Sequence, residues 1–114
     1  MNHGNGWVGV DLDGTLAQYD QWRGPDHIGE PVPIMLERVK AWLKSGIKIK
    51  IFTARASDIT SHELIKRWCE SHGLPRLEVT NVKDYGMIEL WDDRAVQVEP
   101  NTGKRFGQSR IGLK

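Results

Sequence analysis

Apolar residues recur along this chain in two rhythms, one helical and one extended. Met35, Leu36, Val39, Trp42 and Leu43 follow at three- and four-residue steps, the spacing that lines one face of a helix. Pro33 near the start, Lys44 in the last turn and Gly46 beyond it mark its ends. A second helix is expected from about Thr60 to His72, where Thr60 and Glu63 have the spacing of a capping box, Ile65, Trp68, Cys69 and His72 share a face, and Gly73 and Pro75 stop it. The extended segments lie between. Trp7 to Val10 is a short apolar run. Ile47, Ile49 and Ile51 alternate with Lys48 and Lys50 and lead to Thr53, and Leu77 and Val79 alternate with Glu78 and Thr80. Ile88 to Trp91 forms a fourth, and Ala95 to Val98 a short fifth. Strands alternating with helices predict an α/β fold with a mainly parallel sheet, whose ligands sit outside the carboxyl ends of the strands.

A parallel sheet covered on both faces reads as continuous apolar runs, and these strands do not. The face bearing Lys48, Lys50 and Glu78 is therefore expected to be wet, or covered only by the carboxyl-terminal segment. Pro100-Asn101-Thr102-Gly103 reads as a turn, after which Arg105 and Phe106 return beside Val96 and Val98 as an antiparallel hairpin that would close an edge. The alternative is a disordered end, favoured by Gly107, Gly112 and the basic residues around them.

Composition narrows the class without naming a function. The 114 residues are 39% hydrophobic, enough for one modest core and a single domain over residues 1–114. A formal net charge of +1 argues against a protein that coats nucleic acid. After Glu99 the chain carries Lys104, Arg105, Arg110 and Lys114 and no acid, a pattern that reads as a solvated tail or as a phosphate-binding one. Cys69 is the only cysteine, which excludes an internal disulfide and a thiolate zinc cluster. Met1 to Asn5 has no apolar leader, and no run reaches the ~18 apolar residues of a membrane span, so a cytoplasmic protein without a membrane partner is expected.

The chemistry gathers at the end of the first strand, in Asp11-Leu12-Asp13-Gly14-Thr15-Leu16. Alternate side chains of a strand share a face, so Asp11 and Asp13 converge while the chain stays extended, and Gly14 then lets it turn. Such a pair can seat a hard, oxygen-seeking cation and supply a carboxylate that attacks phosphorus. An EF-hand is excluded, because its glycine would be sixth and its glutamate twelfth, whereas here glycine is fourth and Trp22 is twelfth. Turn formation or helix capping is the duller reading of the two acids.

The Asp11 to Leu16 run resembles the first signature of the haloacid dehalogenase superfamily, most of whose members are Mg2+-dependent phosphatases with an aspartate nucleophile. Three further signatures are expected in order, each near a strand end. Thr53 after Ile47 to Phe52 resembles the second, Lys83 after Leu77 to Thr80 is a candidate third, and Asp92-Asp93 after Ile88 to Trp91 resembles the fourth. The resemblance implies that Asp11 is the nucleophile and forms an aspartyl-phosphate intermediate. Asp13 would be the acid and base, Thr53 would hold a phosphoryl oxygen, and Lys83 would neutralise charge. Mg2+ would be held by Asp11, Asp92 and Asp93 with the main-chain carbonyl of Asp13. Taken alone, Thr53 reads first as a strand residue; Lys83 has the alternative of a surface lysine, and Asp92 and Asp93 that of opening a turn before Ala95 to Val98.

The same resemblance implies a Rossmann-like sheet, three-layered or partly open, of strand order 3-2-1-4-5. The link from Asn81 to Met87 must then span a diagonal of ~19 Å with seven residues that reach at most ~23–25 Å, which leaves no length for a helix. Right-handed crossovers put both helices on one face. No segment is long enough for a cap domain. Ala17 to Val32 could form a flap or hairpin over the site, or merely a loop. Arg55 lies two residues past Thr53 and is a candidate phosphate contact, while Arg94 is a phosphate contact or an ion-pair partner of Asp92 or Asp93. Thr53-Ala54-Arg55 and Asp92-Asp93-Arg94 are also similar to the phosphatase half of phage polynucleotide kinases. The reading is thus an uncapped Mg2+-dependent phosphatase acting on a small phosphorylated substrate or a nucleic-acid phosphate end, as monomer or homo-oligomer. Its rivals are a phosphotransferase or nucleotidase of the same fold, and a regulatory protein that binds Mg2+ and phosphate without turnover.

Overall fold

The computed structural model describes residues 6–112; the expectations for Met1 to Asn5 and for Lys114 lie outside these residues. Its elements are β1 (Trp7–Asp11), α1 (Pro33–Lys44), β2 (Ile49–Phe52), a 3-10 turn (Ala54–Ser57), α2 (Ile59–Ser71), β3 (Glu78–Thr80) and β4 (Met87–Trp91). The four strands form an all-parallel sheet in the order β3-β2-β1-β4. This is a Rossmann-like α/β arrangement, with four strands in place of the expected five.

The fifth strand is absent because the backbone turns away directly after β4. The Arg94 N–H donates to Asp92 Oδ1 at 2.7 Å, which closes a turn there. The apolar residues beyond it find a partner in the tail instead of in β4. Val98 bridges Arg105, the Glu99 N–H donates to Lys104 O at 2.7 Å, and the Phe106 N–H donates to Gln97 O at 2.8 Å. The expected hairpin therefore forms, as a single bridge.

Both helices lie on one face of the sheet. Val8 and Val10 of β1, Ile49 and Ile51 of β2 and Val79 of β3 share one buried cluster with Met35 and Val39 of α1 and with Ile65, Trp68 and Cys69 of α2. The arrangement is a two-layered, partly open sandwich, not a three-layered one. On the opposite side the sheet covers itself locally. Trp7 is only 2% exposed there, because its ring lies against Gly9, whose missing Cβ would sit 3.1 Å from both that ring and the Leu90 side chain. The Lys50 ammonium stands 4.4 Å from the centre of the Trp7 ring and 3.1 Å from Glu78. The lysine stem thus shields the aromatic face while its charge finds a carboxylate. The expected wet face is in part a polar lid on one tryptophan.

The helix ends follow local rules with one correction. α1 begins at Pro33 and ends where the Ile47 N–H returns to Trp42 O at 3.0 Å, with Gly46 at φ +86°. α2 is capped by Asp58, whose Oδ1 accepts from the Thr60 N–H at 3.0 Å and the Thr60 hydroxyl at 2.8 Å. The Thr60 and Glu63 capping box does not form, because a better acceptor stands two residues earlier and Glu63 pairs with Arg67 and Arg76. Between β3 and β4 there is no helix, as the short link requires.

Candidate active site

An open cleft of about 950 Å3 lies at the carboxyl ends of the strands, bounded by the segments that leave β1, β2, β3 and β4. The loop after β1 is anchored from below. Leu12 and Leu16 are fully buried in the core, and the Leu16 and Ala17 N–H groups return to the Leu12 carbonyl at 3.0 and 2.8 Å. These anchors hold Asp11 and Asp13 above the core, both half-buried and both lining the cleft. Gly14 adopts φ +95°, and a Cβ there would lie 2.5 Å from Asp93 Oδ2, so the turn and the approach of the β4 loop both require glycine.

Asp11, Asp92 and Asp93 come together, each offering an oxygen within 4.8 Å of the others. The Thr15 hydroxyl stands between them, 3.3 Å from Asp11 Oδ2 and 3.1 Å from Asp93 Oδ1, and accepts from the Asp93 N–H at 2.9 Å. Burial, the charge of Asp92 and the proximity of Asp93 push the Asp11 carboxyl up to about 8, with the Thr15 hydroxyl opposing the shift. Arg110 of the tail reaches Asp93 Oδ2 at 3.2 Å, with its side chain largely open to water.

Asp13 has a different partner. Its two oxygens take a fork from Arg55, Nε to Oδ2 at 2.8 Å and Nη2 to Oδ1 at 2.9 Å. Arg55 also donates to the carbonyls of Pro25 at 3.2 Å and His27 at 2.9 Å, and its guanidinium lies 4.9 Å from the centre of the Trp22 ring. Four of its five N–H groups are therefore engaged, and its side chain is 7% exposed. Arg55 was expected to contact phosphate; the structure places it in the cleft wall but spends its donors on Asp13 and on the segment from Pro25 to His27. The Asp13 side chain, in turn, is not among the three clustered carboxylates.

Thr53 directly follows β2 and is 3% exposed. Its Oγ1 accepts from the Arg55 N–H at 3.2 Å, while its own N–H is held by Thr80 O at 2.9 Å, so the side chain is fixed at the floor of the cleft. Lys83 does not line the cleft. It is exposed and borders a separate shallow depression with Asp84 and Tyr85, because the extended link from β3 to β4 carries it away. Asn81, the first residue after β3, lines the cleft in that region and donates to Ser57 Oγ at 3.0 Å. Arg94 also lines the cleft. Of these additions Asn81 was findable, since the strand-end rule that selects Thr53 after β2 selects Asn81 after β3. Arg110 had no local signal beyond the sign of its charge.

Residues 17 to 32 form a flap with a short paired stem. Ala17 bridges Pro31, the Gln18 N–H donates to Glu30 O at 2.8 Å, and the Val32 N–H donates to Leu16 O at 2.8 Å. Trp68 of α2 ties the stem down by donating its indole N–H to Gly29 O at 3.0 Å. Beyond the stem, Tyr19, Asp20 and Trp22 line the cleft, with Trp22 58% exposed.

No protein-family model matches the chain, and no curated protein matches it in sequence. Among solved structures it is similar to a conserved protein from Bacteroides thetaiotaomicron, at 23% identity over 77% of this chain and 75% of that one, with a TM-score of 0.59. At that identity the likeness is one of fold. Among the described residues, no helix is long and apolar enough to cross a membrane.

Proposed function

We propose that the protein is a Mg2+-dependent phosphatase of the haloacid dehalogenase type, acting through Asp11 on a phosphomonoester. The observation that carries this reading is the meeting of Asp11, Asp92 and Asp93 at the open carboxyl end of the sheet, with Thr53 beside them on the same cleft. Three carboxylates this close repel one another, and burial, with the charge of Asp92 and Asp93 added to it, raises the Asp11 carboxyl. An all-oxygen donor set of this charge fits a hard divalent cation such as Mg2+, held by Asp11, Asp92 and Asp93 and, by the resemblance, the carbonyl of Asp13. Bound there, Mg2+ would neutralise the carboxylates and offset charge on the phosphoryl oxygens.

In this reading an Asp11 oxygen attacks phosphorus, the bond to the leaving oxygen breaks, and Asp13 supplies the proton that oxygen requires. Asp13 then takes a proton from the water that attacks the aspartyl phosphate, which releases inorganic phosphate and restores Asp11. Thr53 keeps its hydroxyl proton for a phosphoryl oxygen, since its Oγ1 already accepts from the Arg55 N–H. With Lys83 outside the cleft, Arg94 and Arg110 are the cationic side chains left to face the phosphate. The open cleft suits a nucleotide or a nucleic-acid end as well as a smaller phosphomonoester.

One observation favours the second reading, a protein that binds cation and phosphate without turnover. Both oxygens of Asp13 already accept from the Arg55 guanidinium, which ties the side chain to the cleft wall without any substrate. The deciding experiment is phosphate release from nucleotides, sugar phosphates and phosphorylated oligonucleotides, with and without Mg2+, using Asp11→Asn protein as the blank. Mg2+-dependent release that disappears in Asp11→Asn supports the enzyme. Cation binding by calorimetry without release from any substrate supports the binder.

A further inference from the structure

The fork between Arg55 and Asp13 joins two parts of the molecule that the chain keeps apart. Asp13 belongs to the rigid loop after β1, where Leu12 and Leu16 are fully buried. The Pro25 and His27 carbonyls belong to the distal arm of the flap, beyond its paired stem. Arg55 itself stands on the 3-10 turn that follows Thr53, whose own backbone is tied to β3. One guanidinium thus spans the floor of the cleft, the acid loop and the flap.

We infer that Arg55 is a positioning residue that sets the orientation of Asp13 and couples it to the closed arrangement of the flap. The geometry allows little else. A guanidinium is planar, so two donors to one carboxylate fix the plane of that carboxylate, and the remaining N–H groups fix where the two flap carbonyls lie in relation to it. A carboxylate has about four lone-pair directions and the fork uses two, which leaves the others available toward the cleft. The stacked Trp22 ring belongs to the same unit, with Arg55 on one face and the cleft beside it. Displacing the flap removes two of the four donor contacts of Arg55, and losing Asp13 removes the other two. Flap position and acid orientation are therefore one variable.

The inference rests on the phosphatase reading for its kinetic consequence and stands apart from it for its structural one. The structural test is limited trypsin digestion at Arg23-Gly24 in the flap, with cleavage at Lys104-Arg105 as a control outside it. Arg55→Ala and Asp13→Asn should each speed the flap cut about 10-fold or more while the control cut stays constant, because opening becomes less costly when its tether is cut. The double variant should add little to either single one. Unchanged flap cleavage in Arg55→Ala, or fully additive effects, overturns the coupling.

The kinetic test compares an alkyl phosphate, whose leaving oxygen needs a proton, with a nitrophenyl phosphate, whose leaving oxygen does not. Arg55→Ala should lower kcat about 10- to 100-fold on the alkyl substrate and far less on the aryl one, with KM little changed. Arg55→Lys should rescue only part of the loss, since an ammonium cannot form the fork. A raised KM with unchanged kcat would make Arg55 a phosphate contact and overturn the positioning role, as would equal losses on both substrates. If wild-type protein releases no phosphate from any substrate, the phosphatase reading fails and the cleavage experiment still decides the coupling.

Discussion

Asp11 and Asp13 leave the same loop two residues apart and end in opposite electrostatic settings. Asp11 faces two more carboxylates and holds its proton up to about 8, whereas Asp13 faces a guanidinium that grips both its oxygens. A single turn has therefore made one half of the cleft short of positive charge and the other half complete. The first half can gain most from a ligand that brings charge, and the second is already organised without one. The local sequence gives both residues the same neighbour, Leu12; the long-range partners, Asp92 and Asp93 on one side and Arg55 on the other, make the distinction.

The largest expected effect breaks the comparison at its centre. Asp11→Asn should remove Mg2+-dependent phosphate release by a factor on the order of 10⁴, to the level of the blank, because the attacking oxygen is gone. Asp13→Asn should be severe only with alkyl leaving groups. Turnover of purified Asp11→Asn at the wild-type rate would remove the nucleophile from the scheme, and equal losses in Asp13→Asn on alkyl and aryl substrates would remove the acid. Asp92→Asn tests the charge-hungry half alone. It should raise the Mg2+ concentration at half-maximal activity about 10-fold while leaving the rate at saturating metal within a few-fold. An unmoved midpoint would shift the ligand role to Asp93.

The contrast also makes a prediction about stability that needs no substrate. The folded protein holds the Asp11 proton up to about 8 against an ordinary value of 3.8, so it binds more protons than the unfolded chain between those limits. Stability without divalent cation is then greatest below pH 4 on this account and falls as pH rises toward 8. Among the groups with shifted values, Asp20 and Asp84 are lowered and act below that window, Glu63, lowered from 4.5, reaches only its lower edge, and Cys69, pushed up to about 11, acts above it. At pH 8 and without metal, Asp11→Asn should therefore be more stable than wild type, by about 1–3 kcal/mol once solvent screening is allowed for, and so melt at a higher temperature. Adding Mg2+ should stabilise wild type and not the variant. A melting temperature for Asp11→Asn at or below that of wild type at pH 8 would mean that the cluster is already neutralised from within.

Much of this was legible in the sequence, because it depended on periodicity or on strand ends. Both helices and the four strands of the sheet follow from apolar spacing; Asp11 stands out as an acid closing an apolar run, whereas Thr53, Asp92 and Asp93 are singled out by the resemblance, which looks for a signature near each strand end. The expected fifth strand does not join the sheet, because alternation cannot tell pairing with β4 from pairing with the tail; that choice lies in the Asp92 turn. Arg55 was placed at the cleft but not given its partner, since the fork to Asp13 spans 42 positions and has no local signature. Lys83 failed for a related reason. A seven-residue link can be measured by length, but the direction in which each side chain leaves it is decided by packing.

The smallest expected effect asks where the cleft finds its positive charge. Lys83→Ala should change kcat and KM by no more than about 2-fold, because the side chain is exposed and borders a different depression. Arg110→Ala removes a guanidinium 3.2 Å from Asp93 Oδ2 and should act in two directions that a titration can separate. At low Mg2+ the variant should bind cation more tightly, because Arg110 no longer competes for the Asp93 oxygen. At saturating Mg2+ its KM for phosphomonoester should rise a few-fold, through loss of a cationic side chain facing the phosphate. An exposed ion pair contributes about 1 kcal/mol or less, which caps either change at roughly 5-fold. A Lys83→Ala loss larger than that of Arg110→Ala would show that the link from β3 to β4 rearranges to bring Lys83 into the cleft, and the division between the two halves would then have a third contributor.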